Sequence, residues 1–151
     1  MDKISPKRAE IAWVLLVRAQ QKVLSAIELA LKKAGLPPLS WYDVLLEVGR
    51  DPDSGLRQYE IGERVLLSKD NLSRLVDRLE RDGLVKRQPC DSDGRGITVK
   101  ITKKGLQLKK IMWPIYSEAI QALVAKPLTA TQLRSLAETM SLLLEKQPAE
   151  L

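Results

Sequence analysis

Residues 68–82, Ser-Lys-Asp-Asn-Leu-Ser-Arg-Leu-Val-Asp-Arg-Leu-Glu-Arg-Asp, place hydrogen-bonding groups at helical spacing. On a wheel of about 100° per residue, Leu72, Leu75, Val76 and Leu79 form one stripe, while Asp70, Arg74, Asp77 and Arg81 lie opposite, flanked by Asn71, Ser73 and Arg78. These types suit the edges of base pairs in a major groove. Asn71 can pair with adenine, Arg74 with guanine, Asp70 can accept from cytosine, and Ser73 is permissive. Lys69 and Arg78 suit phosphates, as do the backbone N–H groups that follow Ser68. The same spacing also fits local ion pairs, Asp70 with Arg74 and Asp77 with Arg81, on a merely solvated helix. A second cation with suitable surroundings is Arg95, set between Gly94 and Gly96 in a loop that can approach a narrow minor groove closely. In that loop Asp91 or Asp93 can also pair with Arg95.

Other chemistries are scarce. Histidine is absent and Cys90 is the single cysteine, so a Ser-His-Asp triad is excluded and neither a structural zinc site nor a disulfide is expected. No glycine-rich phosphate loop is visible, so neither catalytic residue nor cofactor is assigned. Cys90 reads as an incidental loop thiol. Its alternative is an oxidisable thiolate with Lys86 and Arg87 nearby.

The elements needed to hold such a helix are legible around it. Pro6 to Ala34 lacks internal Gly or Pro and reads as one long helix opened by Ser5, apolar on more than one face. Ser40 is expected to cap a helix from Trp41 to Val48, and Leu56 to Arg64 reads as another with Leu56, Tyr59 and Ile61 inward. Val65-Leu66-Leu67 is a tight connection to the helix capped by Ser68 and ended by Gly83. The period then becomes two: 84–88 and 96–102 read as paired strands joined by a projecting loop, 89–95. A helix over 103–125 contains Pro114, expected to kink it near Trp113 at about 3 kcal/mol. Thr129 caps a last helix with Leu133, Leu136, Ala137, Met140, Leu143 and Leu144 on one stripe.

The fold class expected is mainly α (α+β), a winged helix-turn-helix with a two-stranded antiparallel wing and helices on either side. The 151 residues fit a single domain, with 39–105 as the winged part and 1–36 and 106–151 as a dimerisation part. The terminal segments carry more apolar surface than a winged helix of about 50 residues can cover, which implies a homodimer. The formal charge of +6 is concentrated: residues 57–110 hold 14 Lys and Arg against 8 Asp and Glu, and the remainder is balanced. A central basic block implies a polyanion partner, here double-stranded DNA. No signal peptide or membrane span is expected, which points to a cytoplasmic protein.

The stretch 56–105 strongly resembles the MarR family of winged-helix regulators, through SRLVDRLERDGLVKR, the wing pattern D-x-D-G-R-G and the strand ending I-T-K-K-G. Upstream, SWYDVLLEV resembles the family's second helix. The resemblance implies a homodimeric transcription regulator, by default a repressor, on a pseudo-palindromic operator. Ser68, Lys69, Asp70, Asn71, Ser73 and Arg74 then fall in the base-reading segment, Arg78 on the DNA backbone and Arg95 at the wing tip. Family wings often carry two adjacent basic residues, whereas Gly94 precedes Arg95 here. The resemblance also implies a small aromatic or anionic effector, for which Trp13, Trp41, Tyr42, Trp113 and Tyr116 are candidates, each equally at home in core packing. Two other classes remain: a winged helix used only for protein–protein contact, and a small enzyme acting through a perturbed carboxylate in a cleft.

Overall fold

A computed structural model describes residues 5–89 and 96–150, so Cys90 and Arg95 lie outside the described residues. The elements are α1 (Pro6–Lys33), α2 (Leu39–Val48), β1 (Leu56–Arg57), α3 (Gln58–Arg64), α4 (Lys69–Arg81), β2 (Val85–Pro89), β3 (Ile97–Ile101), α5 (Lys103–Ile120), a π-helical stretch (Gln121–Ala125) and α6 (Ala130–Glu145). This is the winged helix-turn-helix expected. The chain divides into two compact units, one of residues 28–116 and one of 1–27 with 117–151.

In the central unit the antiparallel pair β2–β3 runs from Val85 opposite Ile101 to Pro89 opposite Ile97. A third strand joins it, since β1 pairs with β3 through Leu56↔Val99 and Arg57↔Thr98, giving the order β1-β3-β2. Residues 56–57, expected to open a helix, are therefore strand, and α3 begins at Gln58. The competing force is non-local: β3 offers a free edge, and two residues of pairing there outweigh one more helical turn. Tyr59, expected inward, is 64% exposed, while Ile61 is fully buried and Leu56 packs partly on the core. That core joins Val44, Leu45 and Val48 of α2 to Ile61, to Leu72, Val76 and Leu79 of α4, and to Val85, Val99 and Ile101 of the sheet.

The start of α2 also departs from expectation. Leu39 is its first residue, Pro38 stands at the cap, and Ser40 lies inside the helix. A carboxylate eleven residues upstream explains this, because the Leu39 N–H donates to Glu28 Oε1 at 3.0 Å. The orphan donor of the first turn is satisfied without a hydroxyl cap.

The helix α4 is set as its sequence indicates. The Asn71 N–H donates to Ser68 Oγ at 3.2 Å, and Gly83 follows the helix with φ +75°. Lys104 Nζ donates to the Asp82 carbonyl at 2.8 Å, a cation at the negative end of α4. Thr102 Oγ1 donates to the Gly83 carbonyl at 2.6 Å and accepts from the Gly105 N–H at 3.1 Å, tying β3 and α5 to the end of α4. A Cβ at Gly105 would meet the Leu84 carbonyl at 2.2 Å, so only glycine allows this approach. Ser68→Ala is expected to lower stability by about 1 kcal/mol, read by urea unfolding. An unchanged midpoint would show that water satisfies the first turn equally well.

The helix α5 continues through Pro114, and the irregular stretch is the π-helical turn after it, where the Lys126 N–H donates to the Gln121 carbonyl at 2.8 Å. Proline removes the donor that would have met the Lys110 carbonyl, but both residues are exposed, so water can serve that carbonyl. In the terminal unit Thr129 and Gln132 cap α6 reciprocally, at 3.0 and 3.2 Å. No residue of α6 is buried, and on its apolar stripe Leu133 and Met140 are half-buried while Leu136, Leu143 and Leu144 are exposed.

Candidate nucleic-acid interface

The helix-turn-helix presents α4 by burying Leu72, Val76 and Leu79, with Leu75 half-buried against the same core. Rotation of the helix is thereby fixed, and the opposite side faces solvent. Ser68, Lys69, Asp70, Asn71, Arg74 and Arg78 are all exposed, and Ser73 is half-buried on the flank. These seven residues share one helix face and its start. Arg95, the eighth predicted residue, lies outside the described residues.

The electrostatics of this face differ from the local pairing that the spacing also fits. Among the described residues Asp70, Arg74 and Arg81 form no ion pair, and Asp77 pairs across elements, its Oδ1 2.7 Å from Arg87 Nη2. Glu80 Oε1 lies 3.2 Å from Arg87 Nη1. The Arg87 N–H and guanidinium together hold the Glu80 carboxyl below its ordinary range, so it stays ionised. Arg74 is thus an exposed cation with all its donors available. Arg78 is positioned from behind, its guanidinium 5.8 Å from the centre of the Trp41 ring, which packs partly on the core.

Two exposed apolar groups near this face are not identified as surface by sequence reasoning: Leu66 in the tight connection, fully exposed, and Tyr59 near the start of α3. An apolar residue in a short turn looks like core from its type alone. Arg87 was noted only as a neighbour of Cys90. The signal that would have raised it was the acidic pair Asp77 and Glu80 on α4, three residues apart, beside a basic strand.

Of the five aromatic candidates, three come together. Tyr42 stacks on Trp113 at 6.1 Å and 17° between planes, and Tyr116 meets both edge-on at 5.3 and 5.8 Å. Tyr42 is buried and Trp113 half-exposed. Burial pushes both phenols up, so they remain neutral donors. Trp41 sits apart against Arg78. In the terminal unit Trp13 lines an apolar groove of about 530 Å³ with Leu16, Met140 and Leu143.

Beside the rings, burial and then the charges of Glu28 and Glu47 push the Asp43 carboxyl up. A raised folded pKa means the fold prefers the protonated acid, so its contribution is present at low pH and is lost as pH rises through that pKa. Asp43→Asn is accordingly expected to raise Tm at neutral pH, with the gain vanishing in acid. A loss of stability at neutral pH would mean that the carboxylate has a favourable partner.

Among the described residues no cluster of three acids or thiols is placed to hold a metal ion, and no helix is long and apolar enough to cross a membrane.

Known proteins share this architecture. A model of the MarR family matches residues 34–96. The transcriptional repressor IacR of Pseudomonas putida is 28% identical over 86% of this chain and 75% of its own. The crystal structure of Sco3205 from Streptomyces coelicolor, a MarR family regulator in complex with DNA, superposes with a TM-score of 0.85 at 26% identity, covering 99% of this chain and 94% of that one. CouR from Rhodococcus jostii RHA1, bound to p-coumaroyl-CoA, superposes with a TM-score of 0.75 at 25% identity over 93% of this chain and 95% of its own.

Proposed function

We propose that this chain is a transcriptional regulator of the MarR family, a ligand-responsive repressor that binds double-stranded DNA as a homodimer in the cytoplasm. The observation that carries the DNA-reading surface is the state of α4. Its outer face keeps Lys69, Asp70 and Arg74 exposed and free of local ion pairs, while a fully apolar face fixes the helix beneath them. A helix held only for packing has no need of unpaired charges on its far side. Lys69, Asp70, Asn71, Ser73 and Arg74 read bases, the start of the helix at Ser68 meets phosphate through backbone N–H groups, and Arg78 meets phosphate from its seat on Trp41. Arg95 supplies the minor-groove cation, on the strength of the family resemblance.

The winged part, 39–105, does the reading, and 1–36 with 106–151 makes the dimer. A two-fold axis then sets two α4 helices about 34 Å apart, one turn of DNA, and calls for a pseudo-palindromic operator. The effector class is a small aromatic or anionic molecule, in keeping with CouR, which binds an aromatic acyl-CoA. The chain is a binding protein and not an enzyme.

The test is equilibrium binding of the purified protein to the intergenic DNA beside its own gene, at two salt concentrations. Neutralising Z phosphates predicts a logarithmic slope of about −0.9Z. Binding that is absent at both salts, or indifferent to salt, would favour the protein-contact use of the fold.

A further inference from the structure

We propose that Arg87 masks the acidic side of the reading helix, cancelling Asp77 and Glu80 from the wing strand so that α4 meets phosphates without repulsion. This rests on the DNA-binding reading above. The geometry concentrates four contacts on one residue. Beyond the two ion pairs at 2.7 and 3.2 Å, the Arg87 N–H donates to Glu80 Oε2 at 2.8 Å and Nη2 donates to Gln58 Oε1 at 3.4 Å. One guanidinium therefore links α3, α4 and β2, using the fork of donors that lysine lacks.

Its neighbours show why this arginine differs from the other cations. Along β2, Val85 is buried, Lys86 is exposed, and Arg87 has a side chain only 24% exposed. Its donors point at carboxylates of its own chain, so it is badly placed to meet a phosphate directly. Asp77, by contrast, is 55% exposed on the face of α4 that carries Arg74 and Arg81. Unmasked, Asp77 and Glu80 would offset two of the four cations Lys69, Arg74, Arg78 and Arg81 on that helix. Pairs this exposed add little to folding stability, so the consequence falls on the field that the helix presents to DNA.

The test uses the full chain, an intergenic duplex and an unrelated duplex of equal length, with salt titrations and thermal unfolding. Arg87→Gln is expected to weaken binding to both duplexes by the same factor, about tenfold. The triple variant Arg87→Gln, Asp77→Asn, Glu80→Gln is expected to recover wild-type affinity within about twofold, at an unchanged salt slope. Failure of the triple variant to recover, with a slope shallower by about one per protomer, would overturn the proposal and make Arg87 a phosphate contact. Undiminished binding by Arg87→Gln would overturn it as well. Should Arg87→Gln fail to fold, Asp77→Asn decides. Masking predicts binding equal to or tighter than wild type, whereas a merely structural tie predicts weaker binding. A wild-type chain that binds neither duplex at low salt overturns the DNA reading itself, an outcome distinct from any failure among the variants.

Discussion

Arg74→Ala is expected to abolish discrimination between the operator and a scrambled duplex while leaving the fold intact. The side chain is exposed and unpaired among the described residues, so its removal opens no cavity and orphans no carboxylate. Alanine is also the best helix former, which makes a loss of α4 an implausible cause of any effect. If Arg74 grips a guanine through two hydrogen bonds, each half-site loses about 1–3 kcal/mol. A two-fold dimer loses this twice, about 2–6 kcal/mol, or roughly 30-fold to 10⁴-fold in affinity. Binding to scrambled DNA should fall far less, since only one charge per protomer has gone. Fluorescence anisotropy with both duplexes separates the cases. An equal loss on both would place Arg74 on phosphate, and no loss on either would move the reading surface off α4.

That prediction was available from residue types and period, because α4 is governed by local rules. Ser68 caps it, Gly83 ends it, and the spacing of Leu72, Val76 and Leu79 fixes its buried side. What escaped the sequence was settled at long range. The first turn of α2 is capped by Glu28, and β1 exists because β3, some forty residues on, offers an edge to Leu56 and Arg57. Neither partner is visible in a window of local sequence. Charge pairing follows the same logic. The i,i+4 spacing of Asp77 and Arg81 allows a pair, but Arg87 sits closer to Asp77 once β2 folds back and also donates to Glu80. Aromatic type alone could not sort Tyr42, Trp113 and Tyr116, which cluster, from Trp41 and Trp13, which serve different surfaces.

Leu143→Glu is expected to give a monomer that binds the operator weakly. A helix of sixteen residues is marginal in water unless its apolar face is covered, and in α6 no residue of that face is buried, with Leu136, Leu143 and Leu144 exposed. The first helix has the same deficit, with Ile11, Trp13, Val14 and Leu15 between 41% and 64% exposed. The two surfaces adjoin in one groove of about 530 Å³, where Trp13 and Leu16 face Met140 and Leu143. Covering by a second copy satisfies both deficits with one interface, and two-fold symmetry makes each residue count twice. A glutamate at 143 would bury two unpaired charges in that interface, each costing several kcal/mol, enough to dissociate a dimer at micromolar concentration. With one half-site left, the second α4 no longer binds as a tethered group, and operator affinity should fall by 10²–10⁴, on the order expected for lost bivalency. Sedimentation equilibrium and anisotropy read the two effects separately, with Glu138→Ala on the polar side of α6 as the control. A Leu143→Glu chain that stays dimeric with full affinity would remove α6 from the interface and leave its apolar stripe to another partner.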